Sequence, residues 1–241
     1  MGHKQRIDGV QGYLLHSYPY SETSLILDVF SREYGRLPIL ARGARRPRSA
    51  LRGVLLGFQR LELGWFGSGE VKTLAKAEWF GGTPLLKGRC LLLGYYLNEL
   101  LLKLLPREEA HPQLFDTYTK AVGALAHGTA EAPELRRFEK SLLKEIGYGL
   151  TLDRDADGHP VLPDHCYRYL TERGLVAAGD ADAQMEGHAF SGKTLLDLDD
   201  DDYSDPRTLL ESKLLMRQLV AHQLGGQALQ SRRVFIDLQE L

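Results

Sequence analysis

Residues 24–30 read Ser-Leu-Ile-Leu-Asp-Val-Phe. Leu25, Leu27 and Val29 alternate with Ile26, Asp28 and Phe30, so an extended chain here would be apolar on nearly both faces. That is the pattern of a β-strand covered on two sides. Working outward, residues 10–17, 36–41, 54–66 and 70–76 are further short apolar segments separated by turn residues. Gly67-Ser68-Gly69 is a hairpin signal between the last two. Five short strands in the first 80 residues are the size of a small closed barrel. A five-stranded barrel that binds oligonucleotides is an OB-fold, and the strand pattern alone fits an SH3-like barrel equally well.

Gly81-Gly82-Thr83-Pro84 ends this pattern, and the period changes after it. The expected division is therefore 1–80 for the barrel and 81–241 for a helical domain. Residues 85–105 are leucine-rich and stop at Pro106; 111–127 reads as a second helix. In 134–146, Leu135, Phe138, Leu142, Leu143 and Ile146 share one face, and Gly147 ends the run. Asp205-Pro206 reads as an N-cap with a first-turn proline, opening a helix to about residue 222. Ser231 opens a last short one. Residues 148–190 have no sustained period and are expected to be an irregular insertion. The predicted class is α+β and multi-domain: a five-stranded OB barrel, then an all-helical domain with that insertion.

The chain has 241 residues, 43% hydrophobic and 26% charged, which is the make-up of a packed protein and excludes a wholly disordered one. The net charge of -2 hides an asymmetry. Residues 1–80 hold 12 Lys and Arg against 7 Asp and Glu, whereas the remainder holds 18 against 25. Arg36, Arg42, Arg45, Arg46, Arg48, Arg52 and Arg60 stand in one stretch that contains no carboxylate. An unneutralised arginine cluster on one module is the footprint of a phosphate-binding surface. We expect Arg36, Arg42, Arg45, Arg46, Arg48 and Arg52 to bind DNA, with stacking faces from Tyr18, Tyr20, Tyr34 or Trp65; Phe58 is assigned to the core. Cys90 and Cys166 are too few for a disulfide framework and suit a reducing compartment. The first residues lack an apolar secretory core, and the longest apolar run, 90–97, is too short to span a bilayer. The expected location is cytoplasmic, away from membranes.

Two motif matches call for a structural test. Gly187-His188-Ala189-Phe190-Ser191-Gly192-Lys193-Thr194 satisfies the phosphate-loop pattern, which needs a buried strand before it and a helix after it. The segment before it is polar, and Ser191 as a helix N-cap is the competing reading. Residues 153–164 satisfy the spacing of a calcium loop, but Pro160 and Pro163 interrupt it and Asp164 replaces the usual glutamate. His159, His165 and Cys166 cluster without a zinc spacing, and the chain contains no GxSxG elbow. No catalytic constellation emerges. The expectation is a binding protein, not an enzyme, with no cofactor and no metal; a nucleotide-hydrolysing switch on Gly187–Thr194 and a barrel adaptor that binds only protein are the alternatives.

Beyond these readings, a set of ordered segments resembles the RecO family of bacterial DNA repair and recombination proteins. The segments are Tyr20-Ser21-Glu22-Thr23-Ser24-Leu25, Gly35-Arg36, Ala41-Arg42-Gly43-Ala44-Arg45-Arg46, Leu51-Arg52-Gly53 and Gly69-Glu70-Val71-Lys72-Thr73-Leu74. Further on come Tyr96-Leu97-Asn98-Glu99-Leu100, Leu135-Arg136-Arg137-Phe138-Glu139, Gly147-Tyr148-Gly149 and Leu224-Gly225-Gly226. The resemblance implies an N-terminal OB-fold, a C-terminal helical domain, and a recombination mediator of the RecF pathway. Such a protein binds single- and double-stranded DNA, anneals complementary strands, and contacts the acidic C-terminal tail of single-strand-binding protein. With RecR it helps load RecA, at the nucleoid. Some members carry a four-cysteine zinc module in the irregular segment; here only Cys166 remains of it. The implied tail needs an apolar slot with cations at its rim. Arg136, Arg137 and Lys140 on the 134–146 helix are the expected rim, and Leu101, Leu104 and Phe115 the expected slot.

Overall fold

The computed structural model describes residues 6–179 and 188–239. They fall into two compact units, residues 1–129 with 229–241, and residues 130–228.

The first unit is built on a closed barrel of β1 (Arg6–Tyr20), β2 (Ser24–Ser31), β3 (Gly35–Ala41), β4 (Arg60–Phe66) and β5 (Lys72–Trp79), in the order β1-β2-β3-β5-β4. β3 and β5 pair in parallel through Ile39–Lys72 and Leu40–Thr73; the other neighbours are antiparallel. β1 pairs with both β2 and β4, and its register shifts between Ile7 and Val10 and again between Leu14 and His16. Those irregularities let one strand bend between two partners and close the barrel. The interior is filled by Val10, Leu14, Leu27, Val29, Leu37, Ile39, Leu61, Leu63 and Trp65. The expected strand 54–66 is shorter than its apolar run, because Leu51–Val54 forms a short helix, α1.

The double-faced burial read from residues 24–30 has a specific cause. Leu27 and Val29 point into the barrel, while Phe30 on the outer face meets Phe115 with ring centroids 5.4 Å apart. Phe115 lies on α3 (Pro112–His127), and α2 (Gly88–Leu104) packs beside it. Asn98 of α2 donates to Leu15 O at 2.8 Å and accepts from the Tyr118 hydroxyl at 2.6 Å. These buried Asn98 and Tyr118 groups are thereby paired, and they fix α2 and α3 against the barrel. The compact unit thus runs past residue 80 and takes in α2 and α3. A last helix, α7 (Gln230–Gln239), starts on Glu99 of α2, which accepts from the backbone N–H groups of Gln230 and Ser231 and from the Ser231 hydroxyl.

The second unit contains α4 (Glu131–Glu145), β6 (Cys166–Leu170), β7 (Gly174–Ala177), β8 (Ala189–Ser191), α5 (Gly192–Asp199) and α6 (Pro206–Gln223). The three strands form an antiparallel sheet in the order β7-β6-β8. This corrects the expectation of an irregular insertion in an all-helical domain. The strands are only five, four and three residues long, too short for a period to emerge. Tyr167, Leu175 and Phe190 from this sheet join Leu143, Leu152, Leu195, Leu198, Leu215 and Met216 in one core. Asp205 caps α6 as read from the sequence, accepting from Arg207 N at 2.8 Å.

Candidate nucleic-acid interface

The chain between β3 and β4 is arginine-rich yet ordered. Arg45 N donates to Thr23 O at 2.8 Å, and the Arg45 guanidinium reaches Ser21 O at 3.2 Å, so the loop is clamped onto the β1–β2 turn. Ala44 is buried with the barrel core and acts as the loop's anchor. Consecutive turns follow: Arg46 N to Gly43 O, Ser49 N to Arg46 O, Arg52 N to Ser49 O. The side chains of Arg42, Arg45, Arg46, Arg48 and Arg52 are exposed. Among the described residues, no carboxylate pairs with any of the five, whereas Arg32, Arg107, Arg136, Arg137 and Arg207 are all ion-paired. A groove of about 420 Å³ runs beneath the loop, lined by Leu25, Ala44, Arg45, Leu51, Arg52 and Leu55. Because the backbone is already ordered, an anion bound by these guanidinium groups would cost little further loop entropy.

Two aromatic faces adjoin the loop. Tyr18 and Tyr20 lie on the last residues of β1, opposite Ile26 and Ser24, and both are exposed. Tyr18 packs edge-on to His16 at 4.5 Å. They lead directly into the turn that the Arg45 guanidinium grips.

Several expected site residues lie elsewhere. Arg36 is directed inward. It donates to Asp28 Oδ2 at 3.3 Å and to Leu105 O at 3.1 Å, and its side chain is only 13% exposed. Burial pushes the Asp28 carboxyl up, against the opposing pull of Arg36 and Arg107. Arg36 therefore neutralises a buried carboxylate on the barrel wall and is not available to DNA. Trp65 is core, and Tyr34, at the β2–β3 turn, packs against the Trp65 ring at 5.3 Å. Phe58 is buried as assigned.

The tail-binding set is divided between the units. Leu101 and Phe115 are fully buried in the first unit, with Leu104 half-buried there. Arg136, Arg137 and Lys140 belong to the second. Arg136 is buried and bonded to Glu139 at 2.8 Å. Arg137 holds Glu134 and Asp201 O and covers the Tyr203 ring at 5.2 Å. Lys140 donates to Leu198 O and Asp199 O, the carbonyl end of α5, and pairs with Asp201. The expected open cationic face of α4 is thus turned into its own unit. Sequence periodicity assigned the apolar face of α4 correctly but could not see that residues 198–201 cover the other.

The phosphate-loop match fails on geometry. Gly187 lies outside the described residues, but 189–191 are a strand of an antiparallel sheet and α5 begins at once with Gly192. Gly192 N and Lys193 N, which would cradle a phosphate, donate to His165 O and Pro163 O at 2.8 and 3.1 Å. A Cβ at position 192 would stand 2.0 Å from Leu162 O, so glycine is required by that close approach. The Lys193 ammonium is taken by Asp197 and Asp205. Ser191 does occupy the N-cap position of α5.

The calcium-loop spacing resolves into a tight turn. Asp155 Oδ1 accepts from Asp157 N and His159 N, and Arg154 bridges Pro160 across it. Against a desolvation effect, those backbone donors hold the Asp155 carboxyl below the usual range.

A closed barrel in OB order, carrying an ordered, unneutralised arginine loop beside exposed tyrosines, defines a protein of the OB class with a surface of the kind that suits nucleic acid. Comparison with known proteins is more specific. Recombination protein O N terminal matches residues 9–82, and Recombination protein O C terminal matches residues 88–233. The DNA repair protein RecO of Dechloromonas aromatica (strain RCB) is 54% identical over 244 aligned positions, covering all of both chains. Those of Aromatoleum aromaticum and Azoarcus sp. (strain BH72) are each 53% identical, again with full coverage of both. The chain belongs to the RecO family, and that membership places it in DNA repair and recombination. No described helix is long and apolar enough to cross a membrane.

Proposed function

We propose that this chain is a non-catalytic recombination mediator of the RecF pathway. It binds single- and double-stranded DNA through the barrel, anneals complementary strands, and works at the nucleoid in the cytoplasm. The observation that carries the reading is the set of five exposed arginines, ordered on one loop and free of carboxylate partners among the described residues. Annealing requires no acid, base or metal. It requires two strands held by their backbones with base edges free, and guanidinium groups on a rigid loop hold phosphates without engaging bases. Residues 1–80 supply the DNA site in this reading, and 81–241 the partner contacts: the acidic tail of single-strand-binding protein, and RecR in loading RecA. For the tail, Arg137 and Lys140 remain the proposed rim; each already holds partners, so a tail carboxylate binds there by exchange.

The test is to replace Arg45, Arg46 and Arg48 together with Ala and titrate labelled single-stranded DNA at several salt concentrations. Loss of three phosphate contacts flattens the slope of log K against log salt by about 2. Unchanged affinity and slope place the DNA site elsewhere.

A further inference from the structure

The barrel unit presents a second aromatic surface, away from Tyr18 and Tyr20. Trp79 is 59% exposed, Phe80 47%, Tyr95 49% and Leu56 40%. Contacts tie Trp79 and Phe80 to residues 59–60, and Tyr95 to the neighbouring Phe58. The Trp79 indole N–H donates to Gln59 Oε1 at 2.9 Å, and Phe80 N donates to Arg60 O. The Arg60 guanidinium lies over the Phe80 ring at 5.1 Å. Phe58, next to Gln59 in the chain, meets Tyr95 edge-on at 5.3 Å. Gly94 makes that meeting possible: a Cβ there would stand 2.8 Å from the Phe58 ring and 2.6 Å from Leu86. The rings are thus held in place by the barrel and by α2, with one face of Phe80 under Arg60, while each remains about half exposed.

The chain segments that carry them hold charge of one sign only. The patch is contributed by residues 56–60 and 79–95, and the chain has no Asp or Glu between Glu33 and Glu62, nor between Glu78 and Glu99. The bordering carboxylates Glu62 and Glu78 are both held by Lys76. Lys87 and Arg89 are exposed cations of the second stretch, and neither has a carboxylate partner among the described residues. An apolar protein partner has no use for this unbalanced charge, and a double helix offers no base faces to an aromatic ring. A single strand uses both, stacking unpaired bases on the rings and setting phosphates against the cations. Resting on the reading of the chain as a strand-annealing mediator, we propose that Trp79, Phe80 and Tyr95, with Arg60 and the cations Lys87 and Arg89, form a second single-strand-binding surface. The arginine loop holds one strand and this patch the other.

Indole emission tests this on the full chain. Trp65 is buried in the barrel and Trp79 is open, so a stacked base quenches Trp79 selectively. Adding an oligothymidylate of about 8 nucleotides, within the footprint of one OB barrel, quenches emission in the wild type and not in Trp79→Phe. The Trp79→Ala/Phe80→Ala variant loses about tenfold in annealing rate and one of two short oligonucleotides bound per chain; Trp79→Phe keeps both. If the double variant does not fold, the unmodified chain and Trp79→Phe decide alone. With Arg45, Arg46 and Arg48 replaced by Ala, quenching persists. Silent Trp79 emission at saturating DNA overturns the inference while leaving the arginine-loop site standing, and so does unchanged annealing in a folded double variant. A double variant that loses only a protein partner also overturns it. A wild-type chain that binds no DNA overturns the mediator reading itself.

Discussion

The arginine loop between β3 and β4 and the cationic row of α4 contain the same residue type at similar density, and the structure uses them in opposite ways. In the loop, residues 34–61 offer no carboxylate, and Arg42, Arg45, Arg46, Arg48 and Arg52 remain exposed, without a carboxylate partner among the described residues. In α4, Glu134 and Glu139 are interleaved with Arg136, Arg137 and Lys140 at helical spacing, and the cations fold back on them and on the end of α5. The lesson is that an arginine's availability to a partner is set by the carboxylates within its reach, and only secondarily by the face of the element that carries it. Each prediction below breaks or sharpens this contrast, beginning with the largest effect.

The Arg136–Glu139 pair is buried on both sides, with Arg136 8% and Glu139 1% exposed. Removing one partner leaves the other charge in the interior, which typically costs about 3–5 kcal/mol. Arg136→Ala is therefore expected to lower the melting temperature of the full chain strongly. The double replacement Arg136→Met/Glu139→Leu, of similar volume and without charge, is expected to recover most of it. Thermal denaturation by circular dichroism checks both. A melting temperature unmoved by Arg136→Ala would mean that α4 does not depend on its internal pairs.

The loop arginines are expected to behave in reverse. The Arg45→Ala/Arg46→Ala/Arg48→Ala chain keeps its melting temperature, because exposed residues without partners contribute little to folding. Its DNA affinity falls, most steeply at low salt. A fall in stability matching the fall in affinity would show that the loop holds the barrel together and only incidentally carries charge.

Glu99 lies between these extremes, a carboxylate placed to receive the N-terminus of α7. Burial raises its pKa, but the N–H and hydroxyl donors of Ser231, the Gln230 N–H and the nearby Lys103 outweigh that and hold it below the usual carboxylate value. With the folded value depressed, the contribution is fully present above the unfolded-state pKa and is lost as pH falls through the folded one. Glu99→Gln is expected to cost about 1 kcal/mol near neutral pH, the scale of a helix cap, and nothing at low pH. Limited proteolysis of the C-terminal helix as a function of pH follows it; equal cleavage of wild type and variant at pH 7 would show that Glu99 does not dock α7.

How much of this was legible beforehand follows from the range of each signal. The barrel was, because Leu27, Val29, Leu37 and Ile39 alternate within single strands and Gly67-Ser68-Gly69 marks a turn locally. The fate of Arg36 was not, because its partner Asp28 lies across the β2–β3 hairpin and composition records a charge without its neighbour. The sheet of the second unit escaped for want of length: Tyr167, Leu175 and Phe190 each fill its core from a strand too short to show a period. Trp79 and Phe80 went unread as a surface because apolar residues beside a strand are ordinarily assigned to the core. The absence of carboxylates from 79 to 98 was the signal in the sequence that could have singled them out.

The smallest expected effect is the one that isolates pairing from exposure. Arg32 lies at the β2–β3 turn of the same barrel with its side chain 40% exposed, so that it too reaches solvent. It differs in being bound by Asp116 through two hydrogen bonds of 3.0 Å, a parallel fork that fixes the guanidinium against α3. To meet a phosphate it would have to leave a carboxylate of equal charge and better geometry, so it releases no counterion on DNA binding. Arg32→Ala is expected to leave the salt slope of DNA binding and the melting temperature where they were, since an exposed pair contributes little to stability. Asp116→Asn is the sharper half of the test, because it frees Arg32 without deleting it. The slope should then steepen toward the value for one added phosphate contact, about 0.7 for a single strand. A slope that falls in Arg32→Ala as it does for a single loop substitution would show that position on the barrel, and not freedom from a carboxylate, selects the arginines that meet DNA.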